Sequence, residues 1–149
     1  MTKEWSIEKV NAGVVRPLRA KVLRPGLPPS EAVFEGDDAV ETVHLALRVD
    51  GEVVGVLSLF PRDVENNPSE TGFQLRGMAT QPQFRGKGLG TQLLLEAATL
   101  AKESGATSIW CNARTVALPF YSKHGFEVVG AEFDIPGVGP HYRAVLDLR

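Results

Sequence analysis

The sequence predicts a mixed α+β domain, with one sheet of mostly hairpin-linked strands and helices on both of its faces. Three observations predict it. Apolar residues alternate over short segments joined by turn signals, the pattern of antiparallel pairs. One long stretch, Leu89 to Ala101, carries its apolar residues on a single helical stripe between two apolar strand segments, which makes a strand–helix–strand crossover. The chain has 149 residues, the size of one domain, and is 43% hydrophobic, enough for a core that covers two faces.

Trp5 to Val10 reads as a short strand. From Asn11 to about Leu23, Val14, Val15, Leu18, Val22 and Leu23 recur at helical intervals, but Pro17 is costly beyond a first turn, so a broken or late-starting helix is expected. Arg-Pro-Gly-Leu-Pro-Pro-Ser reads as loop, and Glu35 to Glu41 is an acidic stretch. Val43, Leu45, Leu47 and Val49 alternate with His44, Ala46 and Arg48, which places one face of a strand on the core. Asp50-Gly51 is a tight hairpin signal, and Val53 to Phe60 is apolar almost throughout, as in a strand covered on both faces. A polar loop, Pro61 to Thr71, leads to a third strand, Phe73 to Ala79, and Gln81 to Lys87 connects it to a helix. Leu89, Leu93, Leu94, Ala97, Leu100 and Ala101 form the stripe of that helix, with Gly105 at its C-terminal cap. Ser108 to Asn112 is a short strand, Val116 to Lys123 a short helix and Phe126 to Phe133 another strand. Tyr142, Ala144, Leu146 and Leu148 alternate along the last strand, and Pro136 to Pro140 permits an antiparallel pair before it. There is no internal repeat.

Composition narrows the function. Sixteen Lys and Arg against eighteen Asp and Glu leave no basic field for a nucleic-acid backbone, so any phosphate site must be local. One cysteine, Cys111, excludes an internal disulfide and supplies too few thiolates for a zinc or iron–sulfur centre, and a reducing compartment fits. The three histidines lack metal-ligand spacing, so no metal is expected. With no apolar leader at Met1 to Lys9 and no apolar run approaching ~18 residues, the expectation is a cytoplasmic protein without a membrane partner.

Arg85-Gly-Lys-Gly-Leu-Gly90 sits between a strand and an amphipathic helix, where unpaired N–H groups and the helix dipole favour an anion. Gly86, Gly88 and Gly90 allow close backbone approach, and Arg85 and Lys87 supply local positive charge. A Walker A loop would need Ser or Thr where Gly88 stands, and a dinucleotide fingerprint begun at Gly86 meets Thr91 in place of its last glycine. Position and paired cations favour phosphate binding over a plain linking turn. This segment resembles the R/Q-x-x-G-x-G/A signature of the GNAT superfamily of N-acetyltransferases. Asn112 at a strand end, Phe120-Tyr121 on a short helix and Lys123-His-Gly-Phe126 resemble the superfamily's second diagnostic segment, and the resemblance spans about Phe73 to Gly130. Glu35-x-Asp37, His44 and the ending Glu132 to His141 are similar to an ElaA-like branch.

The resemblance implies the acyl-CoA N-acyltransferase fold with a central, mostly antiparallel sheet, and acetyl-CoA as co-substrate. It implies diphosphate on Gly86 to Thr91, including Leu89, pantetheine along Met78, Ala79 and Thr80, and an oxyanion held by an amide near Met78 to Ala79. It makes Tyr121 the general acid, since a phenol of reference pKa ~10 can serve a departing thiolate. A dedicated base stays open among Glu132, Asp134, His141 and His44, or a water chain to solvent takes its place. Asn112 and Phe120 are expected near the coenzyme, and Lys123 either attracts phosphate or is simply solvated. Cys111 has no partner ordering that would make it a nucleophile. The acceptor is an amine of unstated identity, an exposed edge strand near the C-terminus suits a homodimer, and the rival reading is a non-catalytic acyl-CoA sensor.

Overall fold

In a computed structural model that describes residues 4–63 and 71–149, the chain runs β1 (Trp5–Val10), α1 (Ala12–Leu23), β2 (Val43–Val49), β3 (Glu52–Pro61), β4 (Gly72–Thr80), α2 (Leu89–Glu103), β5 (Ser108–Arg114), α3 (Leu118–Lys123), β6 (Glu127–Ile135) and β7 (Gly139–Asp147). Hydrogen-bonded neighbours give the strand order β1-β2-β3-β4-β5-β7-β6. The β1–β2, β2–β3, β5–β7 and β6–β7 pairs are antiparallel, and β4–β5 is the parallel pair made by the α2 crossover. The expected polar loop falls largely on residues 64–70, outside the described residues. The chain divides into two compact units, Met1–Pro61 with Leu75–Thr99 and Arg62–Gln74 with Leu100–Arg149.

In the first unit, β2 and β3 are sealed on both faces. Val15 and Leu18 of α1 pack with Ala46, Val56 and Ala79 on one face. On the other, a Cβ added at Gly55 would lie 2.9 Å from Leu93 of α2, beside Leu47, so the absence of a side chain there lets α2 approach. Asp50 (φ 48°) and Gly51 (φ 87°) both adopt the left-handed region, the two-residue turn whose twist matches its strands. Two expectations need correction. The helix does not break or start late at Pro17: α1 is continuous from Ala12 to Leu23. The bond that Pro17 forfeits costs ~3 kcal/mol, and burying Val15 and Leu18 at ~1.5–3 kcal/mol each offsets it. Nor does β2 bury one face alone, since His44 and Ala46 are as enclosed as Leu45 and Leu47. The cover over Ala46 is α1, and His44 is enclosed by polar partners described below.

In the second unit, the β4–β5 ladder runs from Gly72↔Ser108 to Gln74↔Trp110. Ile109, Trp110, Cys111 and Ala113 bury β5 almost completely. The helix α2 ends in a glycine cap: Gly105 (φ 91°) donates to Lys102 O and Ala106 donates to Ala101 O. Of the expected alternation, Ala144 on β7 and Leu148, just past its end, are buried. Between β6 and β7 the register slips from Val129↔Arg143 to Phe133↔His141, so Gly130, Ala131 and Glu132 form a bulge. Among the described residues, no helix is long and apolar enough to cross a membrane, and no group of three or more His, Cys, Asp or Glu could hold a metal.

Candidate active site

The glycine turn lies in the first unit. Gln81 anchors its entrance: its backbone N–H donates to Val54 O at 2.8 Å and its buried side chain donates to Val53 O at 2.8 Å. A short 3₁₀ turn over Pro82–Phe84 follows, with Lys87 Nζ 5.7 Å from the Phe84 ring centroid. Gly86 (φ 77°) and Gly88 (φ 79°) hold left-handed backbone that a side chain would strain, although the space around them is open. Gln92 N–H donates to Gly88 O, so the amides of Leu89 and Gly90 fall in the first turn of α2, whose N–H groups a helix cannot satisfy from within. Arg85, Gly86, Lys87 and Gly88 are exposed, and Thr91 is half-buried. Positive charge, curled backbone and a helix N-terminus therefore converge on one solvent-open turn, as an anion requires. Before it on β4, Met78 and Thr80 are half-buried and Ala79 is buried. Gly77 (φ 66°) interrupts the extended backbone just ahead of them.

In the second unit, Tyr121 on α3 is buried, 8% exposed, with its ring 5.3 Å from both Phe120 and Phe126 in edge-on packing. Burial, with the neighbouring Cys111, pushes its hydroxyl above the ordinary 10.0, so the phenol keeps its proton at physiological pH. Burial likewise lifts the Cys111 thiol from 9.0 to about 12. Phe120 is half-buried and also packs on His124 at 4.9 Å. Asn112, half-buried on β5, accepts from Arg143 Nε at 3.5 Å, and Arg143 lies 4.6 Å over the Trp110 ring. Lys123 is exposed at the end of α3.

The candidate bases separate by environment. His141 is 4% exposed, stacks on Phe133 at 6.0 Å and directs Nδ1 to Gly139 O at 2.8 Å. That carbonyl can only accept, so Nδ1 carries the hydrogen. Glu132 stands exposed on the β6 bulge, accepting from Thr115 Oγ1 at 2.9 Å, and Asp134 is exposed beyond it. His44 belongs to the first unit: its Nε2 donates to Asp37 O at 2.8 Å and its Nδ1 accepts from Ser58 Oγ at 2.6 Å. Sequence reasoning missed the rest of that cluster. Arg19 of α1 has no exposed surface and donates to Asp37 Oδ2 at 2.8 Å, Ala32 O at 2.8 Å and Ser58 Oγ at 3.0 Å. Burial alone would lift the Asp37 carboxyl, but hydrogen bonds from Arg19 and the Phe34 N–H, with the Arg19 charge, hold it below its ordinary 3.8. Asp37 therefore lies in this network and not on an acidic surface.

Residues 18–126 match the profile of the acetyltransferase (GNAT) family. The chain belongs to the GNAT family. Among its relatives is the uncharacterized N-acetyltransferase YitI of Bacillus subtilis (strain 168), 33% identical over 132 residues that cover 89% of each protein. Its fold is shared by Escherichia coli ElaA, with TM-score 0.75 and 16% identity over 98% of this chain and 100% of that one. A GNAT acetyltransferase from Elizabethkingia anophelis with acetyl-CoA bound gives TM-score 0.70 and 18% identity over 96% of this chain and 97% of that one. The GNAT assignment makes the chain an acyltransferase, and the expected mixed sheet with helices is the fold it shares with those structures.

Proposed function

We propose that this GNAT chain, acting as one domain, moves an acetyl group from acetyl-CoA to a primary amine of a small molecule or peptide. One observation carries the reading: Gly86 and Gly88 curl a cationic, exposed turn directly into the N-terminus of α2. The acetyl thioester of the Elizabethkingia relative's ligand class supplies the electrophilic carbonyl. Arg85 and Lys87, with the amides from Gly86 to Thr91, hold the diphosphate. Backbone along Met78 to Thr80 aligns the pantetheine, with Asn112, Phe120 and Lys123 as further contacts.

The acceptor enters as a neutral amine, whose nitrogen bonds to the carbonyl carbon while the carbonyl oxygen takes the negative charge. Amides at Met78 and Ala79 donate to that oxyanion, a contact typically worth 10²- to 10³-fold in rate. As the C–S bond breaks, the sulfur keeps the electron pair and takes the Tyr121 proton. A phenol held above its ordinary value gives its proton only to a strong base. The thiolate released as the C–S bond breaks is the base that takes it. The proton lost from the new amide nitrogen restores Tyr121, through solvent or through His141 or Glu132. The products are an N-acetylated amine and free coenzyme A. A reducing cytoplasm suits this chemistry, and the chain acts alone or as a homodimer.

The test is free-thiol release from acetyl-CoA against polyamines, amino acids, aminoglycosides and peptides. Turnover with any of them supports the enzyme. Saturable binding with no turnover on the whole panel supports the acyl-CoA sensor instead. A thermal shift comes first, because acetyl-CoA at ~100 times its dissociation constant stabilises a binder by ~2.7 kcal/mol; no shift removes both readings.

A further inference from the structure

Arg19 has no part in the chemistry above, yet it is the most enclosed charge in the first unit. Burying a guanidinium is unfavourable unless its charge and its donors are matched. Three of its contacts do this, to Asp37, Ala32 and Ser58. Its Nε, however, has no hydrogen-bond partner. That atom faces β4: a Cβ added at Gly77 would stand 2.8 Å from Nε and 3.2 Å from Phe34 Cε2. Phe34 completes the grip, since its ring centroid lies 4.0 Å from the Arg19 guanidinium and 4.2 Å from that of Arg76. Arg76 and Gly77 are consecutive on β4, so one cluster built from α1 and the Ala32 to Asp37 turn clamps the strand where its backbone turns left-handed. A left-handed residue within a strand re-aims the peptide that follows it, and here the following residues are Met78 and Ala79.

We propose that Arg19 is a positioning residue for acyl transfer: it props the Gly77 turn of β4 and so fixes where the amides of Met78 and Ala79 point. This rests on the reading of those amides as the oxyanion donors. Its action is through shape as much as charge. The planar fork reaches Asp37 and Ser58 together while stacking on Phe34, which an ammonium cannot reproduce. Oxyanion donors act by preorganisation, and a displacement of ~1 Å far from the reacting atoms costs ~10²-fold.

Two variants separate shape from charge. Arg19→Lys keeps the cation and loses the fork, and Arg19→Met with Asp37→Asn removes both charges so that no buried carboxylate is stranded. For each, cooperative unfolding, acetyl-CoA affinity by calorimetry, kcat and KM for thiol release, and backbone ¹⁵N–¹H resonances are measured. The expected result is an acetyl-CoA dissociation constant within about threefold of the parent and a kcat at least about tenfold lower, a split that loss of stability alone does not produce. The amide resonances of Met78 and Ala79 shift while those of Leu89 and Gly90 stay in place. Unmoved Met78 and Ala79 resonances in a folded variant overturn the proposal, whatever the activity. If the parent itself turns over no acceptor, the catalytic reading fails, and the resonances still decide the role of Arg19. Should both variants fail to fold, Gly77→Ala, which leaves every charge in place, is read by the same resonances.

Discussion

Replacing Gly88 by alanine tests whether the shape of the glycine turn is what acetyl-CoA reads. Gly88 has φ 79°, and a Cβ there would meet nothing within 4 Å. The substitution therefore brings no clash with neighbours, only the local strain of an L-residue in left-handed backbone, ~1–2 kcal/mol. Part is returned, because alanine costs the unfolded chain ~0.4–1 kcal/mol of entropy. The coenzyme-bound state should thus lose about 1 kcal/mol relative to the unfolded chain. If the free protein holds the turn, the loss appears as stability, a fall in Tm of about 3 °C for a chain this long, with affinity unchanged. If the free protein relaxes the turn, Tm holds or rises and the acetyl-CoA dissociation constant increases about five- to thirtyfold. Calorimetric unfolding with and without acetyl-CoA, together with titration calorimetry, measures both terms of the cycle. A variant with an unchanged or raised Tm and unchanged affinity would show that the coenzyme does not depend on this backbone. Gly86→Ala, at φ 77° and equally open space, should behave alike.

Other predictions follow from single groups. Tyr121→Phe keeps both ring contacts and should lower kcat by ~10²-fold or more while leaving acetyl-CoA affinity within threefold; an unchanged kcat at saturating amine removes Tyr121 from the proton path. The thiol of Cys111, lifted from 9.0 to about 12, favours the folded state only while neutral. Stability should be complete below pH 9 and fall by about 1.4 kcal/mol per pH unit above it, up to about 4 kcal/mol at pH 12. Urea midpoints from pH 8 to 11 should decline less steeply in Cys111→Ala. Asp37→Asn should cost ~3–5 kcal/mol by leaving Arg19 buried without its counter-charge. Arg16→Ala, at 3.3 Å from the same carboxylate but partly exposed, should cost less than ~1 kcal/mol. Because Asp37 is held below 3.8, its contribution is present above that pH and is lost as the pH falls through the folded value.

Elements whose signals are local were legible in the sequence. Asp50-Gly51 needs only its own two backbones to make a turn, the stripe from Leu89 to Ala101 repeats often enough to define α2, and Gly105 terminates it. The glycine turn was legible for the same reason, since its chemistry sits in six consecutive residues. What failed to show depends on residues distant in sequence. Pro17 marks a helix break on its own, and only the cover that α1 gives to Ala46 and Val56 explains its continuity. A charged helical residue such as Arg19 ordinarily reads as solvated. Its burial depends on Asp37, eighteen positions away, and on Ser58, thirty-nine away. The bulge at Gly130 to Glu132 is likewise a matter of register against β7, which alternation in one strand does not encode.

The enclosure of Cys111 has a practical side. It is the sole thiol in the chain, 2% exposed and almost wholly protonated at neutral pH. A thiol-reactive dye needs a thiolate and a path to it, so the folded protein should be silent toward such a reagent, and under the proposed reaction every equivalent consumed during turnover would come from coenzyme A. Without substrate, the same dye is taken up once per molecule and only when β5 opens. Its slow uptake then clocks the opening of the second unit.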